Sequence, residues 1–153
     1  MTVAIRSVNA GDFEKIYEFV CALQDKLFDK AIMQRVFNEN INSENNIYLI
    51  AEVGAIAVGY ASCHIQSLLH HAARVAEIQE MYVMPEYRSS GVGKELMKTV
   101  KAKAKEKGAV QLEVTTRVIR KEAIKFYVRE EFEDTHKKLV HYFKNQEATS
   151  LTT

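Results

Sequence analysis

The lone proline of the chain stands at position 85, and the stretch around it most constrains the fold: Tyr82-Val83-Met84-Pro85-Glu86-Tyr87-Arg88-Ser89-Ser90-Gly91-Val92-Gly93-Lys94. Val75 to Val83 is rich in strand formers and must end at the proline, which supplies no N–H to a ladder. From Gly91 to Lys107 the pattern is helical, with Gly93, Leu96 or Met97, Val100 and Ala104 on one face and Gly108 placed as a C-cap. A strand, a loop and a helix therefore follow one another. Gly91 and Gly93 permit positive φ and close backbone approach, so consecutive N–H groups can turn toward one point. The helix N-terminus adds unpaired donors and the positive end of its dipole. Such a construction binds phosphate or pyrophosphate, with Arg88 and Lys94 available to neutralise charge.

Exclusion narrows the ligand. A nucleoside-triphosphate loop needs Ser or Thr after its lysine, but Glu95 follows Lys94. A dinucleotide fingerprint needs a third glycine where Leu96 stands. Two glycines alone could serve only a turn; the whole pattern Val-x-Pro-x-x-Arg-x-x-Gly-x-Gly, set between strand and helix, favours the ligand.

The remaining periodicities complete a mixed sheet with helices on its faces. Val3 to Val8 reads as a first strand, and Phe13, Ile16, Tyr17, Val20 and Leu23 mark an amphipathic helix with Asp12 near its start. Ile32, Val36, Phe37 and Ile41 mark a second helix. Ile47 to Glu52 and Ile56 to Ile65 are strands joined at Gly54, and residues 66–73 are a connection holding His70-His71. Val110 to Thr115 alternates like a half-buried strand, residues 123–127 are helical, and Leu139 to Phe143 is a last strand. At 153 residues the chain predicts one domain over 1–144, with 145–153 a polar, frayed tail.

Charge and cysteine content exclude several classes. Lys and Arg number 21 against 20 Asp and Glu, a net +1 that argues against nucleic acid as the partner. No apolar run approaches a membrane span and no signal-peptide pattern opens the chain, so no membrane partner is expected. Cys21 and Cys63 lie far apart without a CxxC spacing, which points to a reducing cytoplasm and gives no disulfide framework. Neither sits in a nucleophile motif.

Arg88-Ser89-Ser90-Gly91-Val92-Gly93 resembles the acetyl-CoA loop of the GNAT N-acetyltransferases, Arg/Gln-x-x-Gly-x-Gly/Ala. The resemblance implies a mostly antiparallel α/β (α+β) sheet flanked by helices, and acetyl-CoA as co-substrate. The backbone of residues 88–94 (Arg88, Ser89, Ser90, Gly91, Val92, Gly93, Lys94) would hold the CoA pyrophosphate. The strand end at Met81, Tyr82 and Val83 would pair with the pantetheine arm. Ala123-Ile124-Lys125-Phe126-Tyr127 is similar to the family's helix ending in a tyrosine, which makes Tyr127 the acid that protonates the leaving thiolate. A phenol of pKa about 10 carries the needed proton at neutral pH; a core tyrosine at a helix end is the plain alternative. The family commonly has Asn where Arg120 stands, a cofactor-contact position, and often Gly-Phe where Glu131-Phe132 stands.

A narrower likeness, to aminoalkylphosphonate N-acetyltransferases, rests on Gln66, His70-His71, Glu77-Ile78-Gln79-Glu80, Val83-Met84-Pro85, Arg120 and Phe126-Tyr127-Val128-Arg129-Glu130. It implies a small-molecule amine acceptor, an aminoalkylphosphonate first, attacking the thioester directly. The alternatives are a protein or peptide N-acetyltransferase and a non-catalytic acyl-CoA-binding module; a homodimer is an open partner reading. By the family likeness Glu77 is the base. Its odd separation from Glu80 predicts that the two carboxylates face opposite sides of the sheet. An ordinary carboxylate of pKa about 4.3 is mismatched by about 6 units to an alkylammonium of about 10.4, so a base there needs a raised pKa, a water relay or a neutral amine. His64, His70 and His71 with Glu77 are suitable donors for a divalent metal, but no metal-ligand spacing supports one. Arg74, Arg117, Arg120 and Lys121 are the cations on offer to a phosphonate. The lysines of the 94–107 helix read as a solvated stripe.

Overall fold

A computed structural model describes residues 1–144, so the expected tail over 145–153 lies outside the described residues. The chain runs β1 (Val3–Ser7), α1 (Phe13–Gln24), α2 (Lys30–Ile41), β2 (Asn46–Val53), β3 (Ile56–Leu68), β4 (Ala73–Val83), α3 (Val92–Glu106), β5 (Ala109–Val114) and α4 (Lys121–Arg129). The sheet order is β1-β2-β3-β4-β5. β1 to β4 pair antiparallel and β5 joins β4 in parallel, with α3 as the crossover. The mixed, mostly antiparallel sheet expected from the sequence is thus the observed one.

Two apolar layers cover its faces. On one side Val92, Leu96, Met97, Val100 and Ala104 of α3 pack on Leu49, Ala51, Val58, Ala61, Cys63, Ala76 and Ile78. On the other, Phe13, Ile16 and Phe19 of α1 and Phe37 of α2 meet Ile50 and Tyr60. Asp29 caps α2 by accepting from the Ile32 N–H at 2.9 Å. Asp12, just before α1, accepts a forked pair from Arg6 at 2.9 and 2.8 Å, tying the first strand to the first helix.

Several sequence expectations change in detail. β3 and β4 are longer than their apolar runs suggest, so the His70-His71 connection shrinks to a single helical turn over Leu69–His71. Lys101 leaves the expected solvated stripe: its Nζ donates to the Glu130 carbonyl at 2.7 Å and lies 5.7 Å from the Phe132 ring centroid. Leu139 to Phe143 is not a strand. Strand propensity needs a ladder partner to act on, and among the described residues none pairs with this run, which leaves Leu139 91% and Tyr142 73% exposed.

Helix α3 reaches the sheet over Gly59. A Cβ there would lie 3.1 Å from the Tyr82 carbonyl oxygen and 3.3 Å from both Leu96 Cδ1 and Val92 Cγ1. Removing glycine's chain entropy returns about 0.5–1 kcal/mol, whereas overpacking against backbone costs about 1–3 kcal/mol. Gly59→Ala is therefore expected to lower stability by about 0.5–2 kcal/mol, the difference of those magnitudes, read as a lower urea midpoint with unchanged slope.

Candidate active site

The end of β4 is built to be open on one edge. Met84 N–H donates to the Val58 carbonyl at 2.8 Å, and Tyr82 lies opposite Tyr60. Alternation then sends the Tyr82 N–H and C=O toward β3 and turns those of Met81 and Val83 outward. Pairing of β4 with β5 stops at Ile78 opposite Val114, while β4 continues to Val83. The strands part, and a gap edged by the outward N–H groups of Met81 and Val83 remains.

Beyond the strand, the chain turns at Pro85–Tyr87 and enters the loop. The Arg88 Nε donates to the Val83 carbonyl at 2.8 Å, and its guanidinium lies 5.4 Å from the Tyr82 ring centroid, so Arg88 braces the loop against the strand. The Ser90 hydroxyl donates to the Tyr87 carbonyl. Ser89 (φ 62°) and Gly91 (φ 92°) are both left-handed, and α3 begins at Val92. Among the described residues, the N–H groups of Ser89, Ser90, Gly91, Val92, Gly93 and Lys94 have no hydrogen-bond partner. This is an anion cradle at a helix N-terminus. Val92 contributes backbone only, because its side chain is buried under β3. The two glycines differ in purpose. A Cβ at Gly91 meets nothing within 4 Å, so it serves the positive φ; a Cβ at Gly93 would lie 3.4 Å from the Phe126 ring.

On the α1/α2 face a cleft of about 280 Å³ is lined by His64, Gln66, Leu68, Val75, Glu77, Gln79 and Glu113. Here the expectation for Glu77 and Glu80 fails. Ser62 pairs with Glu80 and His64 with Glu77, so that Cys63 alone on β3 stands against Ile78 and Gln79 on β4, a bulge that resets the alternation. Glu80 accepts from Ser62 Oγ at 2.5 Å and from Tyr60 Oη at 3.0 Å, while Glu77 lines the cleft with His64. Both carboxylates thus face one side. Glu80 is occupied by its two hydroxyls. Glu77 is held at Oε2 by the Thr115 hydroxyl at 3.1 Å, and Glu113, its register partner on β5, stands beside it. His64 Nε2 lies 2.7 Å from Tyr48 Oη.

Tyr127 packs in the α3 layer, its ring 5.3 Å from Phe126 and 5.5 Å from Phe132. Burial raises its phenol pKa, against an opposing pull from the Arg120 guanidinium, and so keeps the proton in place at neutral pH. Arg120 itself stands at the N-cap position of α4, with no capping bond from its side chain. Burial pushes the Cys63 thiol up to about 12, which removes it as a thiolate nucleophile. The His70 and His71 rings lie 4.3 Å apart in a tilted pair outside the cleft lining. Among the described residues no group of three His, Cys, Asp or Glu side chains comes together to hold a metal. Arg74 is engaged by the Lys107 carbonyl and Asn45 Oδ1, both at 2.8 Å, and is not free for an anionic substrate. Among the described residues no helix is long and apolar enough to cross a membrane. The sequence reading passed over Glu113 and Thr115. Their alternation with Leu112 and Val114 marks one face of β5, but only the parallel register brings that face to Glu77.

Residues 13–132 match the Acetyltransferase (GNAT) family. The chain is 31% identical over 132 residues to an aminoalkylphosphonate N-acetyltransferase of Salmonella typhimurium, covering 86% of each. Among solved structures, an aminoglycoside N-acetyltransferase in complex with CoA superposes with a TM-score of 0.83 at 20% identity, over 95% of this chain and 96% of that one. A ribosomal-protein-alanine N-acetyltransferase from Brucella melitensis gives 0.76 at 16%, over 93% and 100%. At these identities the two structures speak for the fold.

Placing an L-residue in the left-handed conformation of Gly91 costs about 1–2 kcal/mol, and no contact offsets it. Gly91→Ala is expected to weaken CoA binding by calorimetry about 5- to 30-fold. Gly91→Asn, which tolerates that conformation better, is expected to lose less.

Proposed function

Because the chain belongs to the GNAT acetyltransferase family, we propose that it acetylates the primary amine of a small molecule, with an aminoalkylphosphonate as the first choice. The family makes it an acetyl-CoA-dependent acetyltransferase. The observation that carries the finer reading is the opening of the β4–β5 gap beside a carboxylate-lined cleft. The loop from Arg88 to Lys94 holds the pyrophosphate with the free N–H groups of Ser89 to Lys94, the Arg88 N–H being engaged by the Pro85 carbonyl. The pantetheine arm adds as an extra strand along Met81, Tyr82 and Val83, using the outward groups of Met81 and Val83 on either side of Tyr82. The acceptor's ammonium enters the cleft against Glu77, which assists its deprotonation, and the neutral amine attacks the thioester carbonyl. An outward N–H of β4 receives the oxyanion of the tetrahedral species. Tyr127 then gives its proton to the departing thiolate, and the second nitrogen proton of the collapsing tetrahedral species restores the phenol. No acyl-enzyme is needed, in keeping with the raised thiol pKa of Cys63.

The relative from Salmonella typhimurium supports the phosphonate choice. So does the segment between β5 and α4, which places exposed Arg117, Arg120 and Lys121 just after the Thr115 that holds Glu77. A zwitterion would set its ammonium on the carboxylates and its phosphonate toward these cations.

The test is CoA release from acetyl-CoA with aminomethyl- and 2-aminoethylphosphonate beside polyamines, aminoglycosides, amino acids and peptides. Faster release with the phosphonates is expected. Release with peptides alone would replace this reading by protein acetylation, and binding of acetyl-CoA without release by any amine would leave a binding module. Tyr127→Phe is expected to lower kcat by about 10²- to 10⁴-fold while acetyl-CoA affinity by calorimetry stays within about 2-fold, since uniform binding is retained.

A further inference from the structure

We infer that His64 is the proton acceptor for the substrate ammonium, with Tyr48 as the residue that positions its ring and Glu77 as the group that draws the ammonium in. The inference rests on the amine-acetyltransferase reading and names the proton's destination within the same cleft.

Three observations converge on His64. It lines the cleft directly across the strand pair from Glu77, brought to that face by the bulge. Its Nε2 is fixed at 2.7 Å from Tyr48 Oη, and no hydrogen bond occupies Nδ1 among the described residues. Its charge environment is graded. Burial lowers its pKa, opposed by the carboxylates of Glu80 and then Glu77, so the ring is neutral at pH 7 and yet has anions near it to stabilise the imidazolium. Glu77, by contrast, already accepts from Thr115, and Glu80 accepts from Tyr60 and Ser62. Those bonds already engage oxygens of both carboxylates, whereas His64 keeps an open ring nitrogen.

The tautomer competent as a base carries its hydrogen on Nε2, donated to the Tyr48 oxygen, and leaves the Nδ1 lone pair free. The substrate N–H bond breaks, an Nδ1–H bond forms, and the electron pair left on nitrogen attacks the thioester carbonyl. The imidazolium returns its proton to water after the product leaves. The titratable groups around the ring are Tyr48 from β2, Tyr60 from β3, Glu77 and Glu80 from β4, and Glu113 from β5. Burial and the nearby Glu80 raise the pKa of both phenols, so neither takes part as a phenolate near neutrality.

The sign follows from the neutral base: kcat/KM falls as pH drops through the His64 pKa. The experiment measures kcat/KM against pH for the wild-type chain, His64→Gln and Tyr48→Phe, with 2-aminoethylphosphonate and spermidine as probes. NMR titration of the imidazole resonances without substrate runs beside it. The acidic limb is expected to coincide with the His64 titration. In His64→Gln that limb disappears and kcat/KM at pH 7 falls about 10²-fold, consistent with loss of a general base. Added imidazole should restore part of the rate, which a purely structural defect would not allow. Tyr48→Phe should keep the limb but move it to lower pH, because the imidazolium loses an acceptor for its Nε2–H. A limb unchanged in His64→Gln, with the fold intact by circular dichroism, overturns the inference and leaves the transferase reading standing. A wild-type chain that binds acetyl-CoA but turns over neither probe overturns both.

Discussion

The seat of α3 on the sheet fixes the geometry of everything that follows. Gly59 has no side chain, so Val92 and Leu96 come down onto β3 at a distance that even a Cβ would crowd. With the first turn of α3 pinned there, its free N–H groups stand just beyond the end of β4. Gly93 repeats the device one layer out, where the Phe126 ring of α4 closes over the helix start. Close backbone approach thus holds together the anion cradle, the strand edge and the helix that carries Tyr127.

A second constraint comes from irregularity in the sheet. The bulge at Gln79 on β4, opposite Ser62 and Cys63 of β3, shifts the alternation just where β4 parts from β5. A regular ladder would have put one of the two carboxylates among the apolar side chains under α3. The added residue instead gives each a different task on the same face, Glu80 stitched to Tyr60 and Ser62, Glu77 turned to the cleft. Bulges commonly re-aim side chains beside active sites, and here the polar residues on β2, β3 and β5 complete the wall.

Local chemistry carried much of this in the sequence. Pro85, Gly91 and Gly93 announce a strand end, a left-handed residue and a close packing point, and each effect arises within a few residues of its cause. Helix α3 and its cap at Gly108 were legible for the same reason. What escaped depends on pairing between distant segments. Period-two alternation cannot foresee the bulge that moves Glu77, nor the parallel register that sets Glu113 beside it. Arg74 looked available as a cation because its partners, Lys107 and Asn45, lie far along the chain. The run Leu139 to Phe143 has the composition of a strand, but composition does not supply a neighbour.

The outward amides of Met81 and Val83 carry one further consequence. An unpaired strand edge is a template on which any extended chain can zip, and native sheets ordinarily blunt such edges. At the end of β4 the parting of β5 leaves that edge bare, so it carries the aggregation hazard of any unpaired strand. A molecule that bound along Met81 and Val83 would cover that edge and, by mass action, favour the native state over the unfolded one.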